Sequence, residues 1–344
     1  MTDFAIKLQE WYNTNKRMLP WRASKDPYKV WLSEIIMQQT QVVQGEAYYL
    51  KFVENFPTVN DLAKATEQQV LKLWQGLGYY SRARNLHAAA KSIVLEYGGR
   101  FPNTFVDILK LKGVGPYTAA AISSICFNEP KAVVDGNVYR FISRIKGVAT
   151  PIDTTAGKKE FALLADELLD VKNPGDHNQA MMEYGALVCR PAAPACESCI
   201  FTSDCYAYIK REIDSLPVKS KKIKQRPRFF HYFLIQDETK IYLEQRSGND
   251  IWKNLYQLPL LETGEKGLSN GFKKDYKGKF SMINQRKHIL SHQVIYASFY
   301  LADKSLASHF QEPLIVAETN DLPDYPFSQL VANFLREKMK VQED

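Results

Sequence analysis

The chain has 344 residues, 45% apolar and 24% charged, the balance of a soluble globular protein long enough for two or three separately packed cores. Its 45 Lys and Arg against 38 Asp and Glu leave a net charge of +7, an excess that suits a polyanionic partner without requiring one. The opening MTDFAIKLQEWYNTNKR is amphipathic and has no apolar signal core, and no stretch approaches the roughly 20 apolar residues of a membrane span, so the expectation is a cytoplasmic protein with no membrane partner.

Residues up to about 210 read as nearly all helix, with apolar positions recurring at three and four: Val30, Ile35, Ile36; Val70, Leu73, Trp74; Ile93, Val94, Tyr97. Asp26-Pro27 has the form of an N-cap and first helical residue for the helix that carries Glu34. Gly98-Gly99 closes a later helix. Gly113-Val114-Gly115 then forms a turn whose two glycines let backbone N–H groups approach a phosphate, and Pro116 opens the next helix. Asp135 precedes a further helical pattern (Val138, Phe141, Ile142, Ile145). Residues 213–228 break the pattern; Val218–Arg228 holds six basic residues and reads as a linker. Strands follow at 229–235, 240–245 and 292–301, and a closing helix at 327–338, so the C-terminal part reads as a separate α+β domain.

Three groupings carry chemistry. Cys189, Cys196, Cys199 and Cys205 are spaced C-x6-C-x2-C-x5-C, and four thiolates this close suit one tetrahedral zinc or one cubane iron–sulfur cluster; the spacing does not choose between them. Cys126 stands apart in an apolar run as a small buried residue. Glu34 lies among Trp31, Leu32, Ile35, Ile36 and Met37, where desolvation raises a carboxyl pKa toward that of a general acid, or else it lies on a solvated helix face. Asp135 reads as an N-cap whose helix dipole and N–H groups keep it anionic. A neutral acid paired with an anionic carboxylate matches cleavage of a glycosidic bond through an oxocarbenium-like state. In the stretch 76–84, Tyr79 and Tyr80 stand beside Arg82 and Arg84, suiting base wedging and phosphate contact, or simply a core.

Taken together, LPWR (19–22), the Glu34 helix with QQTQV, GLGYYSRARNL (76–86), the GVG hairpin, VVDGN (133–137) and the cysteine cluster resemble the helix-hairpin-helix superfamily of iron–sulfur DNA glycosylases, and within it the adenine DNA glycosylase branch (MutY type). The resemblance implies a helical catalytic domain over 1–212, with a six-helix barrel at about 25–130 and an iron–sulfur module from 1–24 and 131–212, then the linker and a Nudix-like 8-oxoguanine recognition domain over 229–344. It implies one 4Fe-4S cluster on the four cysteines. The implied partner is double-stranded DNA carrying adenine opposite 8-oxoguanine, bound by a monomer that is nucleoid-associated if bacterial. Glu34 would protonate the flipped adenine at N7 and Asp135 would stabilise the cationic sugar, with Tyr117 and Asn137 bonded to that pair. Arg22, Arg17 and Trp21 would hold the base. Gln39, Thr40, Leu77, Tyr79 and Arg82 would engage the DNA around the opposite base, and Gly113 and Gly115 the phosphates. The branch that cleaves oxidised pyrimidines carries a lysine where this chain has Tyr117, and a phenol forms no imine, so base removal without strand cleavage is expected. The Nudix catalytic box is absent. The recognition loop reads Leu290-Ser291-His292 where the family carries Phe-Ser-His, so it keeps two polar contacts and loses a stacking ring. The rival readings are a glycosylase of oxidised pyrimidines and a non-catalytic DNA-damage binding protein.

Overall fold

The computed structural model describes residues 2–220, 224–310 and 313–340; positions 221–223 of the expected linker lie outside the described residues. Among the described residues twelve helices come first: α1 (Asp3–Asn15), α2 (Pro27–Met37), α3 (Val42–Asn55), α4 (Val59–Lys64), α5 (Glu67–Leu73), α6 (Ser81–Tyr97), α7 (Phe105–Leu109), α8 (Pro116–Phe127), α9 (Gly136–Lys146), α10 (Thr155–Leu168), α11 (Pro174–Leu187) and α12 (Tyr206–Ile209). Then come β1 (Arg226–Asp237), β2 (Lys240–Gln245), β3 (Tyr256–Gln257), β4 (Leu260–Thr263), α13 (Asn270–Asp275), β5 (Phe280–Ile289), β6 (Gln293–Ala302), β7 (Ile315–Glu318) and α14 (Gln329–Lys340). The fold is thus a helix-rich part followed by a mixed α+β part, as expected. No described helix is long and apolar enough to cross a membrane.

The helix boundaries follow from local chemistry. The Asp26 carboxylate accepts the Tyr28 N–H at 2.9 Å and Pro27 opens α2. Gly98 and Gly99, at φ +59° and +79°, turn the chain out of α6. Pro116 opens α8 behind Gly115. Asp135 caps α9, and Gly147 at φ +71° closes it.

The described chain splits into two compact units, Met1–Lys64 with Asn85–Lys222, and Ala65–Arg84 with Ile223–Asp344. Ala65–Arg84, read from the sequence as part of the helical domain, therefore clusters with the sheet. The hydrogen bonds show why: the Tyr80 hydroxyl donates to the Phe327 carbonyl (3.2 Å), and Arg84 to that of Lys253 (2.9 Å). The first unit packs α1, α9, α10 and α11 around Leu8, Phe141, Phe161, Tyr184 and Phe201.

In the second unit a sheet runs β3-β2-β1-β6-β5, with β4 also on β1 and β7 on β2. β1 and β6 are parallel and the other pairs antiparallel. Side chains alternate across it. Phe230, Tyr232, Ile295 and Phe299 face α14, while Phe233, Ile235 and Tyr300 face α13. Phe299 stacks on Phe334 with ring centroids 4.0 Å apart. The linker is shorter than expected, because β1 starts at Arg226, where pairing with β6 gives its backbone partners.

Candidate active site

A cavity of about 430 Å³ in the helical unit is lined by Glu34, Tyr117, Asp135 and Asn137, by Arg17, Trp21 and Arg22, and by Gln39 and Thr40. Nine of the residues singled out from sequence are thereby gathered in one place. Glu34 comes from α2, where Trp31, Leu32, Ile35 and Ile36 are buried and leave the carboxylate among apolar neighbours. Burial raises its pKa to about 7; the Tyr117 hydroxyl, which donates to Oε2 at 2.7 Å, pulls it back, Asp135 pushes it further up, and Arg22 lowers it. The desolvated reading of Glu34 holds, and the solvated-face reading does not.

Asp135 is the α9 N-cap. Its Oδ1 accepts the N–H groups of Asn137 (2.9 Å) and Val138 (2.8 Å), and its Oδ2 accepts Asn137 Nδ2 (2.7 Å). The expected N–H bonds to the carboxylate are present, but the expectation left out burial. Burial raises the Asp135 pKa above the ordinary carboxylate value, and the three hydrogen bonds and Arg140 hold it back. Arg140 in turn donates to Asn137 Oδ1 (2.9 Å), the Gly185 carbonyl (2.6 Å) and the Cys189 carbonyl (2.6 Å).

Sequence reasoning missed Glu183. This α11 residue has a side chain only 1% exposed and accepts both pocket arginines. Arg17 donates its N–H, Nε and an Nη to it at 2.9, 2.8 and 2.6 Å; Arg22 donates two Nη groups at 3.0 and 2.9 Å. These bonds hold its pKa down at about 2 against burial. The signal was faint: one acid inside the apolar stretch AMMEYGALV. Gln179 and Met182 line the cavity from the same helix, and the Tyr12 hydroxyl donates to Gln179 (3.4 Å). The Trp21 ring meets Tyr49 edge-on with centroids 5.4 Å apart.

The other singled-out residues lie elsewhere. Leu77, Tyr79, Leu290, Ser291 and His292 line a second cavity of about 470 Å³ within the sheet-bearing unit, where the Tyr79 and Ser291 hydroxyls are hydrogen-bonded. Trp252 also lines it and was not singled out. Arg228, 7% exposed, reaches both Asp250 and Gln293 on that cavity's wall, at 3.0 and 3.1 Å from Nη1. Arg82 packs on Trp74 (5.0 Å) and Tyr79 (5.8 Å) and donates to the carbonyls of Leu77 and Gly78. Gly113, at φ +80°, has no room for a side chain: a Cβ there would sit 2.6 Å from Asn85. Gly115 faces open space.

Cys189, Cys196, Cys199 and Cys205 line one small cavity with Phe141, Arg144 and Phe201, and none is in a disulfide. Among the described residues no three His, Cys, Asp or Glu side chains converge closely enough to hold a single metal ion. The surroundings of the sulfurs fit an anionic thiolate-bound group. Arg144 points an Nη at Cys189 Sγ (3.6 Å), and the Tyr184 hydroxyl donates to Cys199 Sγ (3.1 Å).

Residues 32–165 match the family described as HhH-GPD superfamily base excision DNA repair protein, and residues 231–337 match the NUDIX domain. The helical part is similar to a solved thermostable thymine-DNA glycosylase, with TM-score 0.56 and 31% identity over 60% of this chain and 95% of that one. An adenine DNA glycosylase of Homo sapiens is 42% identical over 225 residues, 63% of this chain and 41% of the human one. An adenine DNA glycosylase of Buchnera aphidicola subsp. Baizongia pistaciae is 36% identical over 296 residues, 85% of this chain and 84% of its own length. That similarity runs through both the helical unit with its two carboxylates and the Nudix-like unit, and the chain therefore belongs to the adenine DNA glycosylase family.

Proposed function

We propose that the protein is a monofunctional glycosylase that removes adenine from double-stranded DNA when it is paired with 8-oxoguanine, and less readily when paired with guanine. The observation that carries this is the pairing of two differently set carboxylates in one cavity: Glu34, held near neutrality by burial with a single hydroxyl partner, and Asp135, buried but held by three donors. Adenine flipped out of the duplex enters the cavity. Glu34 delivers its proton to N7, the C1′–N9 bond breaks, and its electron pair leaves with the base. Asp135 faces the oxocarbenium-like sugar, by charge or through a transient bond to C1′, until water adds and a proton returns to Glu34. Tyr117 and Asn137 hold the two carboxylates in place, and the Arg17–Arg22–Trp21 wall holds the base. Tyr117 offers no amine for an imine, which speaks against strand cleavage and against the oxidised-pyrimidine reading.

The recognition of 8-oxoguanine falls to the second cavity, where Tyr79, Ser291 and His292 supply polar groups and Leu290 an apolar one. The four cysteines would hold one 4Fe-4S cluster, which supplies a rigid anionic anchor for the loop from Cys189 to Cys205; an iron assay on the purified protein tests it, with stoichiometric zinc as the opposing result. For the activity, end-labelled duplexes carrying A·8-oxoguanine, A·G, A·T or an oxidised pyrimidine are incubated and split with and without alkali. Breaks at A opposite 8-oxoguanine that depend on alkali are expected. Alkali-independent breaks at the pyrimidine lesion would overturn the proposal.

A further inference from the structure

Arg17 and Arg22 stand in the wall of the pocket that holds Glu34, where Lys25 also lies, and both arginines are ion-paired within the protein. Five hydrogen bonds from the two residues converge on the two oxygens of Glu183, a carboxylate with almost no exposed surface. A cation beside an acid favours its ionised form, and Arg22 acts on Glu34 in this way. An uncompensated pair of guanidinium groups in the same cavity would favour loss of the proton that a general acid must keep. Glu183 is deeply placed and fully bonded, and its pKa is held down at about 2, so it does not serve as a proton donor.

We propose that Glu183 is a positioning residue of the excision site: it clamps Arg17 and Arg22 in the pocket wall and cancels one of their two charges, so that Glu34 stays protonated for catalysis. The inference rests on the reading of Glu34 as the acid. Among the described residues, the titratable and charged groups that face Glu34 are Tyr117 and Cys126 from α8, Asp135 at the head of α9, and Arg22, with Lys25 and Asp176 on the wall of the same cavity. Those facing Glu183 are Arg17, Arg22 and Tyr12. Tyr12, Tyr117 and Cys126 are all pushed upward and stay neutral at physiological pH, and the substitutions below leave Lys25, Asp135 and Asp176 in place and change the arginine–Glu183 balance alone.

The charge of this trio is +1 as it stands, +2 in Glu183→Gln, 0 in Arg17→Met and +1 again in the double variant. The test is the single-turnover excision rate on A·8-oxoguanine duplex between pH 5.5 and 9, with enzyme in saturating excess. The midpoint above which the rate declines is expected to move down by about one pH unit in Glu183→Gln, costing roughly tenfold at pH 8, to move up in Arg17→Met, and to return near the parent's in the double variant. Opposite shifts restored by combination follow from charge and not from loss of packing. Arg17→Met alone remains informative if Glu183→Gln fails to fold. A parental midpoint that none of the variants moves, whatever their absolute rates, overturns the inference and leaves Glu34 as the acid. A Glu34→Gln enzyme that excises at the parental rate would instead overturn the reading beneath it.

Discussion

Replacing Glu34 by glutamine is expected to change the pH dependence of stability, and the sign follows from burial. The carboxyl is raised from 4.5 to about 7 in the folded protein. A group raised in the native state stabilises fully below its unfolded pKa, and that contribution is lost as pH climbs through the folded one. The gap between 4.5 and about 7, at ~1.4 kcal/mol per pH unit, corresponds to about 3 kcal/mol, of which about 2.5 kcal/mol is lost between pH 5 and pH 8. Glutamine keeps an oxygen for the Tyr117 hydroxyl and carries no charge to desolvate. Groups that do not interact with Glu34 titrate alike in both proteins and cancel in the difference. Melting curves of parent and Glu34→Gln at pH 5 and pH 8 should show the variant gaining on the parent by roughly 5–10 °C at the higher pH, at the 2–4 °C per kcal/mol of a domain this size. A difference in Tm that stays constant with pH, or that turns against the variant at pH 8, would refute the claim that a desolvated carboxyl sits at this position.

Three further outcomes follow from the geometry. Tyr117→Phe removes the hydrogen bond that restrains Glu34, so the alkaline decline of the single-turnover excision rate should move to higher pH; a downward move would count against the 2.7 Å contact. Gly185→Ala places a Cβ 2.7–2.9 Å from Asn137, including its backbone, and should cost ~1–3 kcal/mol in melting experiments and lower excision by misplacing Asp135, whereas Gly115→Ala, with nothing within 4 Å, should melt nearly like the parent. Gln293→Leu removes one of the bonds Arg228 makes to the wall of the second cavity, leaving those to Asp250, and should narrow the preference for A·8-oxoguanine over A·G by about tenfold, the lower end of the worth of one hydrogen bond to a charged group, while A·G excision stays unchanged.

What the sequence exposes and what it hides divide along the range of the interactions. Asp26-Pro27, Gly98-Gly99 and Gly115-Pro116 set helix ends through bonds and dihedrals within a few residues, and each lands where the pattern placed it. Glu34 and Asp135 are legible because their motifs are local even though their meeting is not. Glu183 is hidden, since its partners lie 161 and 166 positions away in sequence and nothing in its own neighbourhood announces them. β5 is hidden for a different reason: many of its side chains stay half-exposed or exposed, so FSMINQRKHI carries little apolar alternation to read. β3 and β7 are two and four residues long, below the length at which a period shows. The grouping of Ala65–Arg84 with the sheet depends on carbonyls of Lys253 and Phe327 as acceptors, and a backbone acceptor leaves no mark in a sequence.

The contrast between the two carboxylates runs through α9, which lines both the cysteine cavity and the candidate active site. Burial raises both pKa values, and the hydrogen bonds on each carboxylate act against it. What separates them is the number of donors, one hydroxyl for Glu34 against three groups on Asp135, and one of those three is the Asn137 amide. An amide can turn over, and its orientation here is fixed by Arg140, whose guanidinium takes Asn137 Oδ1 and so leaves Nδ2 for Asp135. Arg140 is itself held by the carbonyls of Gly185 and Cys189, at the end of α11 where the cysteine segment begins. The backbone around the first cysteine thus orients the guanidinium, the guanidinium orients the amide, and the amide counters the rise that burial imposes on the Asp135 pKa. A displacement of Cys189 would therefore reach the excision chemistry through three hydrogen bonds, with no electron transfer needed to connect them.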